Sequence, residues 1–360
     1  MPSSAKTTPD KLFKRDLIKL GWVLGALAAA AAVFVVNPTL SSPTLLSIVF
    51  TLIVSPWVTA LERRGIPRTA SIALIFLITG LLMAVLGVWV VQNVASEWDS
   101  FRSKAPLYFA ESVRRLQHLE GEWRRRLPLL EGQDLTRKLV AWGETFGRES
   151  LAGVPSIVGN ILSWMFLVPV LTFFMLNDGL ALKKRVFGLV PNRFFEPTFM
   201  VTSKIIHALS DYLRAKIVEA FLVGLMTTLG LYLVDSPYAL LFGILAGITN
   251  IIPYLGPVLG AVPGLAVVWF DPTKSGLFWP VLAVYGIANL VDTVFIFPVL
   301  VAKLVNLHPL VLIAAVILGQ QFGGLVGMLV SIPVASAIKV VFGELYATLY
   351  QPYGSRDIGR

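Results

Sequence analysis

Apolar residues occur along the chain in long runs that are separated by short charged stretches. A helix needs roughly 20 apolar residues to cross a bilayer core of about 30 Å, and most of the runs approach this length. The runs cover residues 20–36, 43–61, 69–94, 156–177, 217–234 and 277–298. The pattern therefore predicts about six membrane-spanning helices.

Two further apolar regions, 237–270 and 304–338, are interrupted in the middle. The first break is "GITNIIPYLGP" at 247–257, and the second is "GQQFGG" at 319–324. Glycine and proline disrupt helices, so each region predicts a broken helical hairpin, either re-entrant or spanning. The predicted fold is an all-α polytopic membrane protein with about six full spans and two broken hairpins, which gives eight or more apolar helices.

The two broken regions are similar to each other. "PYALLFGILAG" and "PLVLIAAVILG" begin 72 residues apart, at Pro237 and Pro309. One span separates the hairpins, so they enter the membrane from opposite faces, an arrangement typical of inverted-repeat transporters. The pattern indicates an inverted repeat; chance similarity between apolar segments is the alternative.

Basic clusters next to the spans predict the orientation of the chain. Arg63, Arg64 and Arg68 follow the second span, and residues 183–185 form a second cluster after the fourth. Lysine and arginine are enriched in cytoplasmic loops, so we expect both termini in the cytoplasm. The predicted parts are a cytoplasmic segment with three spans at 1–94, an extracytoplasmic segment at 95–155, a transport core at 156–345 and a cytoplasmic tail at 346–360.

Two segments outside the apolar runs also predict helices. "APLYFAESVRRLQHLEGEWRRR" has an amphipathic pattern that starts at Pro106. This helix would lie on the membrane surface, against a neighbouring subunit or on its own chain. A second helix is predicted to start near Glu196–Pro197, with a cytoplasmic part at 196–216, and to continue into the fifth span.

Composition supports the membrane assignment and narrows the class of function. The 360 residues are 56% hydrophobic and 14% charged, whereas soluble domains are about 25% charged. The net charge of +9 comes from basic residues that flank the spans, so no nucleic-acid partner is expected. The chain has no cysteine and no GxxxxGK[ST], HExxH or GxSxG motif. We therefore predict that it is not an enzyme and needs no cofactor or metal.

Polar residues in the apolar regions are the candidates for a transport pathway. Irregular backbone at membrane depth is tolerated only inside protein or beside a watery cavity, so the first break predicts a polar site; a turn at the membrane surface, capped by Asn250, is the alternative. Tyr285, Asn289 and Asp292 are spaced four and three apart and share one helix face. Asp292 is the only charge from Ser275 to Ala302, which favours a functional role over a structural hydrogen bond.

The candidate residues form two groups. The predicted pathway comprises Thr249, Asn250, Pro253, Gly256, Tyr285, Asn289 and Asp292 on one side and Gln320 and Gln321 of the second hairpin on the other. The second group lies where the fifth span enters the bilayer and consists of Arg214, Lys216 and Glu219. These charges would act in gating or coupling, or would be solvated at the interface.

Four segments together resemble the autoinducer-2 exporter (AI-2E) transporter family. They are "FLVPVLTFFMLNDG", "YLRAKIVEAFLVGL", "ITNIIPYLGPVLGAVPG" and "HPLVLIAAVILGQQFGGLVGMLVSIPVA". Two departures from the family pattern concern the site. Asn289 and Asp292 match positions where Gln and Glu are usual, and Ala215–Lys216 matches a usual Gly-Gln.

The resemblance implies export of small polar solutes, including the furanone-type quorum-sensing signal autoinducer-2, across a bacterial inner membrane. It also implies a homo-oligomer, with a pentamer as one form, and H⁺ or Na⁺ as coupling ions. Two other functions stay open at this point, namely a Na⁺/H⁺ antiporter and a passive channel.

Overall fold

In this computed structural model the described residues are 38–126, 164–190, 192–252, 255–271, 273–301 and 307–350, together with Gly21, Gly25 and Ala141. All regular elements in these ranges are helical. The helices are α1 (Pro38–Glu62), α2 (Arg68–Arg126), α3 (Trp164–Gly188), α4 (Asn192–Leu233), α5 (Ala239–Thr249), α6 (Leu255–Phe270), α7 (Phe278–Val291), α8 (Phe297–Leu300) and α9 (Pro309–Tyr350). A 3₁₀ turn (Ser275–Leu277) precedes α7, and a π-helical segment (Asp292–Ile296) joins α7 to α8.

Six helical stretches in the described part of the chain are long and apolar enough to cross a membrane. They are Ser41–Arg63, Arg68–Arg115, Trp164–Gly188, Thr198–Leu233, Ser275–Leu300 and Val326–Gly343. The predicted all-helical membrane fold is therefore confirmed. Five of these stretches match predicted spans, and the sixth is the second arm of the second hairpin. The predicted first span, 20–36, lies outside the described residues apart from two glycines.

The first hairpin consists of two short helices. Helix α5 has 11 residues and α6 has 16, which correspond to about 16 and 24 Å at a rise of about 1.5 Å per residue. Both lengths are below the roughly 30 Å of a bilayer core. Helix α5 starts after Tyr238, which has a left-handed backbone (φ 57°), and ends at Asn250. A helix as short as α5 cannot cross a bilayer core of ordinary thickness by itself.

The second hairpin is broken within α9. Gly323 and Gly324 have non-helical backbone angles, and Gly324 has a positive φ of 56° that favours glycine. Its arms approach closely, because a Cβ atom on Gly319 would lie 2.4 Å from the Gly327 carbonyl oxygen. Gly247, which matches Gly319 in the proposed repeat, instead faces helix α4. The matched glycines therefore make different contacts.

The described chain divides into two compact units. The first comprises residues within 1–77, 167–215 and 301–360, and the second those within 78–166 and 216–300. In the first unit, α1, the start of α2 and α3 share a core of apolar side chains centred on Val54, Ile72 and Leu176. Arg68 donates to the Leu176 carbonyl oxygen and to Glu62. The arginine that the sequence places in a basic loop therefore also ties α2 to α3.

In the second unit, small residues bring α4 and α5 into close contact. A Cβ atom on Gly243 would lie 1.9 Å from Thr228 Oγ1, and one on Gly247 would lie 2.8 Å from the Ala220 carbonyl oxygen. Gly224 faces the same contact, since its Cβ would lie 3.2 Å from the Gly243 carbonyl oxygen. Small residues four apart are typical of tightly packed membrane helices.

The prediction that an amphipathic helix starts at Pro106 is wrong, because α2 continues through this proline from Arg68 to Arg126. Proline removes only one backbone donor, and contacts on both sides of it hold the helix. The Phe101 ring packs edge-on against Tyr238, with centroids 5.6 Å apart. Tyr108 Oη lies 3.3 Å from Tyr238 Oη. Of the three predicted placements, the contacts support packing on the same chain for this part of α2.

The long helix predicted from Glu196–Pro197 is present as α4 but begins four residues earlier, at Asn192. It runs without interruption to Leu233 and supplies residues to both units. This continuity places Lys216 and Glu219 on a regular helix, so the position of both side chains follows from helical geometry.

Candidate functional site

Lys216 and Glu219 form an ion pair inside the second unit. They are three residues apart on α4, which places them on one helix face. Lys216 Nζ lies 2.8 Å from Glu219 Oε1, and the side chains are only 3% and 1% exposed. The alternative that charges in this region are solvated is therefore wrong for these two residues. Burying an ion pair costs several kcal/mol per ion before its attraction is counted, so this burial requires further compensating contacts.

Asn250 provides one of these contacts from the break in the first hairpin. Its side-chain nitrogen donates to Glu219 Oε1 at 3.3 Å, and the residue is 3% exposed. Its backbone N–H donates to the Ala246 carbonyl oxygen and ends helix α5. Asn250 therefore caps α5 through its backbone, as the surface-turn alternative expects, but its side chain points to the buried ion pair, which that alternative does not expect.

Asp292 contributes a second carboxylate from the π-helical segment after α7. The residue is buried, and its Oδ1 atom makes no hydrogen bond to any described residue. The Lys216 ammonium and the Asn250 amide are its electrostatic neighbours, and its charge also acts on Glu219. A π-helical turn is rare and occurs frequently at functional sites. Here it begins at the buried acid itself.

The cluster has two carboxylates but one ammonium. When both acids are ionised, its net charge is −1. Glu219 Oε2, like Asp292 Oδ1, has no hydrogen-bond partner in the described part of the chain. An unpaired buried charge is strongly unfavourable, so a proton, a cation or water at these oxygens would stabilise the cluster.

A small cavity adjoins Asp292, one of the two carboxylates. Its lining residues are Val223, Thr227, Ala246, Asn250, Pro257, Tyr285, Ala288, Asn289 and Asp292. About 20 Å³ of it can be reached by the centre of a water-sized sphere, and one water needs roughly 10–15 Å³ by this measure. The cavity therefore has room for about one water or one small ion, and a larger solute does not fit in this conformation.

The structure brings together four of the residues that the sequence places in a pathway. Asn250, Tyr285, Asn289 and Asp292 all line the cavity. Tyr285 is buried, and its hydroxyl has no hydrogen-bond partner among the described residues. It lies against Gly264, where a Cβ atom would come within 2.4 Å of the hydroxyl oxygen. The helix face predicted from the four-and-three spacing is therefore directed at the cavity, and its role in transport stays a prediction.

Other predicted pathway residues have different positions. Thr249 does not line the cavity; its hydroxyl lies 2.9 Å from the Gly256 carbonyl oxygen, across the break. Gly256 is buried at the start of α6 and closes the hairpin. Gln320 and Gln321 are exposed on α9 in the first unit. Pro253 lies outside the described residues.

Arg214, the third residue of the predicted gating group, is separate from the cluster. Its guanidinium pairs with Asp211 at 2.8 Å, and the side chains are 32% and 52% exposed. A pair that is this exposed contributes little to stability. The gating group thus contains one partly solvated charge and two buried ones.

Contacts at the far end of the hairpin are not predicted by the sequence pattern. Glu97 of α2 accepts a hydrogen bond from the Leu241 N–H in the first turn of α5, at 2.8 Å. Asp271, outside the spans, accepts from Tyr108 at 3.5 Å and from Thr273. Burial raises the pKa of the Asp271 carboxyl, but the hydrogen bonds from Thr273, together with the Lys104 charge and the Tyr108 hydrogen bond, outweigh it and leave the pKa below its ordinary value. No local signal identifies Glu97 as a helix cap, whereas the GxxxG spacing of Gly243 and Gly247 does indicate the α4–α5 contact.

A helical membrane protein with a buried charged cluster and a broken hairpin between its spans has the features of a secondary transporter. The comparison with known sequences agrees with this class. The family described as "AI-2E family transporter" matches residues 24–347. The chain belongs to this family, which confirms the predicted resemblance, and it is a membrane transport protein. This membership points away from an enzyme.

Individual relatives cover most of the chain at low identity. The chain is 29% identical over 311 residues to "Putative transport protein YueF" of Bacillus subtilis (strain 168), which covers 84% of each protein. It is 25% identical over 317 residues to "Putative transport protein YrrI" of the same organism, covering 86% of this chain and 87% of that protein. "Putative permease PerM" of Escherichia coli (strain K12) is 29% identical over 210 residues, or 58% of this chain and 59% of that protein.

Proposed function

We propose that the protein is a secondary transporter that exports small polar solutes of the autoinducer-2 type and uses an ion gradient. The buried cluster of Lys216, Glu219, Asn250 and Asp292 carries this proposal. Ionisable side chains inside membrane-spanning helices are costly and characteristically mark ion or substrate pathways. In this protein the cluster contacts the break of the first hairpin through Asn250. A change in the charge of Glu219 or Asp292 would therefore act on the irregular backbone of this break.

The contacts suggest how ion binding would move the hairpin. Asn250 is held at the cluster by one hydrogen bond to Glu219, at 3.3 Å. A proton or cation at Asp292 changes the electrostatic balance around this amide and therefore the stability of the closed hairpin. The cavity is too small for a furanone-sized solute, so the proposed cycle includes a second conformation in which the space beside the break is wider.

An ion antiporter is the second candidate, and the size of the cavity favours it. The space beside Asp292 holds about one water-sized species, which suits H⁺ or Na⁺ directly. An antiporter of these two ions needs no additional solute site. A passive channel is the third candidate and requires no titrating acid.

Transport in reconstituted liposomes distinguishes the three functions. We expect wild-type protein to accumulate a furanone-type solute only when a proton or Na⁺ gradient is imposed. Asp292→Asn removes the charge while keeping the shape of the side chain. We expect it to retain passive exchange and lose concentrative transport, while Asp292→Glu retains substantial activity. Equal concentrative transport by Asp292→Asn and wild type would contradict the coupling role and favour a channel or facilitator.

The same assay without solute separates exporter from antiporter. A Na⁺ gradient that drives proton movement in the absence of any solute, and that Asp292→Asn abolishes, identifies an antiporter. Solute-dependent proton or Na⁺ flux identifies an exporter. The change in proton flux on adding solute is therefore the measurement that decides between them.

The predicted orientation is also part of the proposal. We propose an inner-membrane protein with both termini, the loop at 62–68 and the segment 180–216 in the cytoplasm and residues 95–155 outside. The segment 180–216 is formed by the end of α3 and the first part of α4, and Lys216 lies at its membrane end. Since the chain has no cysteine, single substitutions such as Arg64→Cys and Lys184→Cys give unambiguous labelling. We expect protection from a membrane-impermeant thiol reagent in intact cells, and labelling of either position would contradict the orientation.

The proposed homo-oligomer, with a pentamer as its form, rests on the family resemblance alone. Native mass spectrometry of the detergent-solubilised protein measures its subunit number. We expect multiples of the 39.3 kDa chain, and a monomer under conditions that preserve transport would contradict this part of the proposal.

A further inference from the structure

The buried carboxylates outnumber the single buried ammonium beside them. Lys216 carries one positive charge, whereas Glu219 and Asp292 carry two negative charges when ionised. The Lys216 ammonium contacts Glu219 Oε1 at 2.8 Å. Two of the three other carboxylate oxygens, Glu219 Oε2 and Asp292 Oδ1, are buried and have no hydrogen-bond partner among the described residues. With both acids ionised, the charges of these three side chains therefore sum to −1.

Lys216 lies where a free cation would bind a pair of carboxylates. Its side chain is 3% exposed, it contacts one acid directly, and its charge acts on the other. A lysine ammonium can donate three hydrogen bonds, and one of them is used with Glu219. Unlike a dissolved ion, it cannot leave the site, because it is attached to helix α4.

We propose that Lys216 is a tethered cation that fills one of two monovalent-cation positions at the Glu219–Asp292 pair and leaves a single exchangeable position at Asp292. This inference deepens the proposed transport function by naming the ligand of its ion site. The site takes one monovalent positive charge, H⁺ or Na⁺, and excludes a second. The lysine thereby sets the number of ions that can bind at once.

The surroundings of Asp292 fit a small monovalent ligand. The cavity has about 20 Å³ of reachable space, and Asp292, Asn250 and Thr227, which carry carboxylate, amide and hydroxyl groups, are among its lining residues. Carboxylate, amide and hydroxyl oxygens suit hard cations. The titratable groups that interact electrostatically with Asp292 are Lys216 and Glu219 from α4. Tyr285 from α7 is the other titratable residue of the described lining, to which α6 contributes only Pro257.

Replacing Lys216 by a neutral residue should strengthen the binding of a dissolved cation at the two carboxylates. In Lys216→Gln the amide keeps most of the side-chain volume but no longer neutralises Glu219. Both carboxylates then need a mobile cation, so Na⁺ binds more strongly. We expect the apparent Na⁺ affinity to rise by about tenfold or more over wild type, since removing one partner of a buried ion pair is strongly unfavourable.

Thermal unfolding of purified protein in detergent measures this gain without any transport. A ligand that binds only the folded state raises Tm as its concentration increases. Tm is recorded in NaCl, KCl and choline chloride at constant ionic strength and at two pH values. We expect Na⁺ to raise the Tm of Lys216→Gln clearly more than that of wild type. The pH series in choline chloride shows whether protons replace Na⁺ at the same position.

Two control variants test whether the stronger Na⁺ response comes from the loss of the Lys216 charge. Lys204→Gln removes an exposed positive charge from the same helix and should gain no Na⁺ response. Lys216→Gln combined with Glu219→Gln removes both members of the pair and should respond to Na⁺ as wild type does. An equal Na⁺ response of Lys216→Gln and wild type would overturn the proposal, and so would an equal gain in Lys204→Gln.

Glu219→Gln keeps the proposal testable where Lys216→Gln does not fold. With Glu219 neutral, Lys216 is free to neutralise Asp292, so the exchangeable position disappears although Asp292 is still present. We expect the dependence of Tm on Na⁺ and pH to fall to the level of Asp292→Asn. If Glu219→Gln retains the wild-type dependence, the Lys216–Glu219 pair is only structural and the proposal is wrong.

Failure of this inference and failure of the proposed function give different results. Wild-type transport without a gain of Na⁺ binding in Lys216→Gln refutes the tethered cation and leaves the transporter intact. A gain of Na⁺ binding without any solute or ion transport by wild type supports the cation positions and refutes the transport function.

Discussion

A close backbone contact between the two arms of the first hairpin predicts that even one methyl group will open it. Gly256, at the start of α6, packs against the last residues of α5. An added Cβ atom would lie 2.2 Å from the Thr249 carbonyl oxygen and 2.6 Å from Asn250 Cα. Real Cβ atoms essentially never come closer than 3.0 Å, so Gly256→Ala requires a shift of at least about 0.8 Å. Both neighbours are backbone atoms, and no side chain can rotate away.

The cost of this shift can be estimated from its two components. Added groups in a well-packed interior typically cost about 1–3 kcal/mol, and we expect the upper half of this range because the backbone itself must move. Alanine otherwise stabilises a helix by about 0.5–1 kcal/mol relative to glycine. The net prediction is a loss of about 1–2.5 kcal/mol in the free energy of unfolding.

The shift also reaches the charged cluster. Asn250 donates to Glu219 Oε1 at 3.3 Å, close to the upper limit of a hydrogen bond. A further displacement of about 0.8 Å breaks this bond. We therefore expect Gly256→Ala to lower concentrative transport to less than about a tenth of wild type, by more than its stability loss alone explains.

Gly286→Ala is the matched control, because Gly286 lies in α7 of the same unit and an added Cβ would meet no atom within 4 Å. We expect it to be neutral or to stabilise the protein slightly, with normal transport. Thermal unfolding in detergent and solute accumulation in liposomes measure both variants. If Gly256→Ala matches Gly286→Ala in both assays, the hairpin contact is not tight and the reasoning is wrong.

Two further contacts in the second unit give predictions about stability. Gly230→Ala would place a Cβ atom 2.6 Å from Val284 Cγ1 and should lower the free energy of unfolding by about 1–3 kcal/mol. Because the obstacle is a side chain, adding Val284→Ala to this variant should recover most of the lost Tm. No recovery would contradict the contact. Glu97→Ala removes the acceptor of the Leu241 N–H and should cost about 0.5–2 kcal/mol, as loss of a helix cap does. Hydrogen exchange should become faster at the Leu241 amide in particular, and unchanged exchange there would show that Glu97 does not cap the helix.

Much of the fold could be predicted because the bilayer imposes simple rules on sequence. A span needs about 20 apolar residues, and glycine or proline in such a run marks a break. This reasoning located both broken hairpins, including the bend that the structure places at Gly323 and Gly324. It failed at Pro106, where local propensity indicates a helix start. There, the packing of Phe101 and Tyr108 against Tyr238 holds a continuous helix, and such distant contacts leave no local trace.

The candidate site was also predictable only in part. Spacing alone places Tyr285, Asn289 and Asp292 on one face of a helix, and all three line the cavity. Spacing also pairs Lys216 with Glu219, but an exposed pair on a soluble helix has the same spacing. Their burial depends on how closely α5 approaches α4, which is a tertiary property. The GxxxG spacing in α5 was the available signal for that approach.

The small residues between α4 and α5 connect packing to electrostatics. Because Gly243 and Gly247 lack side chains, α5 approaches α4 closely enough for Asn250 to reach Glu219. The close approach of α5 to α4 also excludes water from Lys216 and Glu219. An uncompensated charge there is therefore strongly unfavourable. A movement of the hairpin away from α4 would hydrate the ion pair and release Asn250 in one step. Conversely, a cation that binds at Asp292 favours the hairpin position in which Glu219 and Asp292 are best neutralised and hydrogen-bonded. The same contact can therefore couple ion binding to hairpin movement in both directions, as thermodynamic linkage requires.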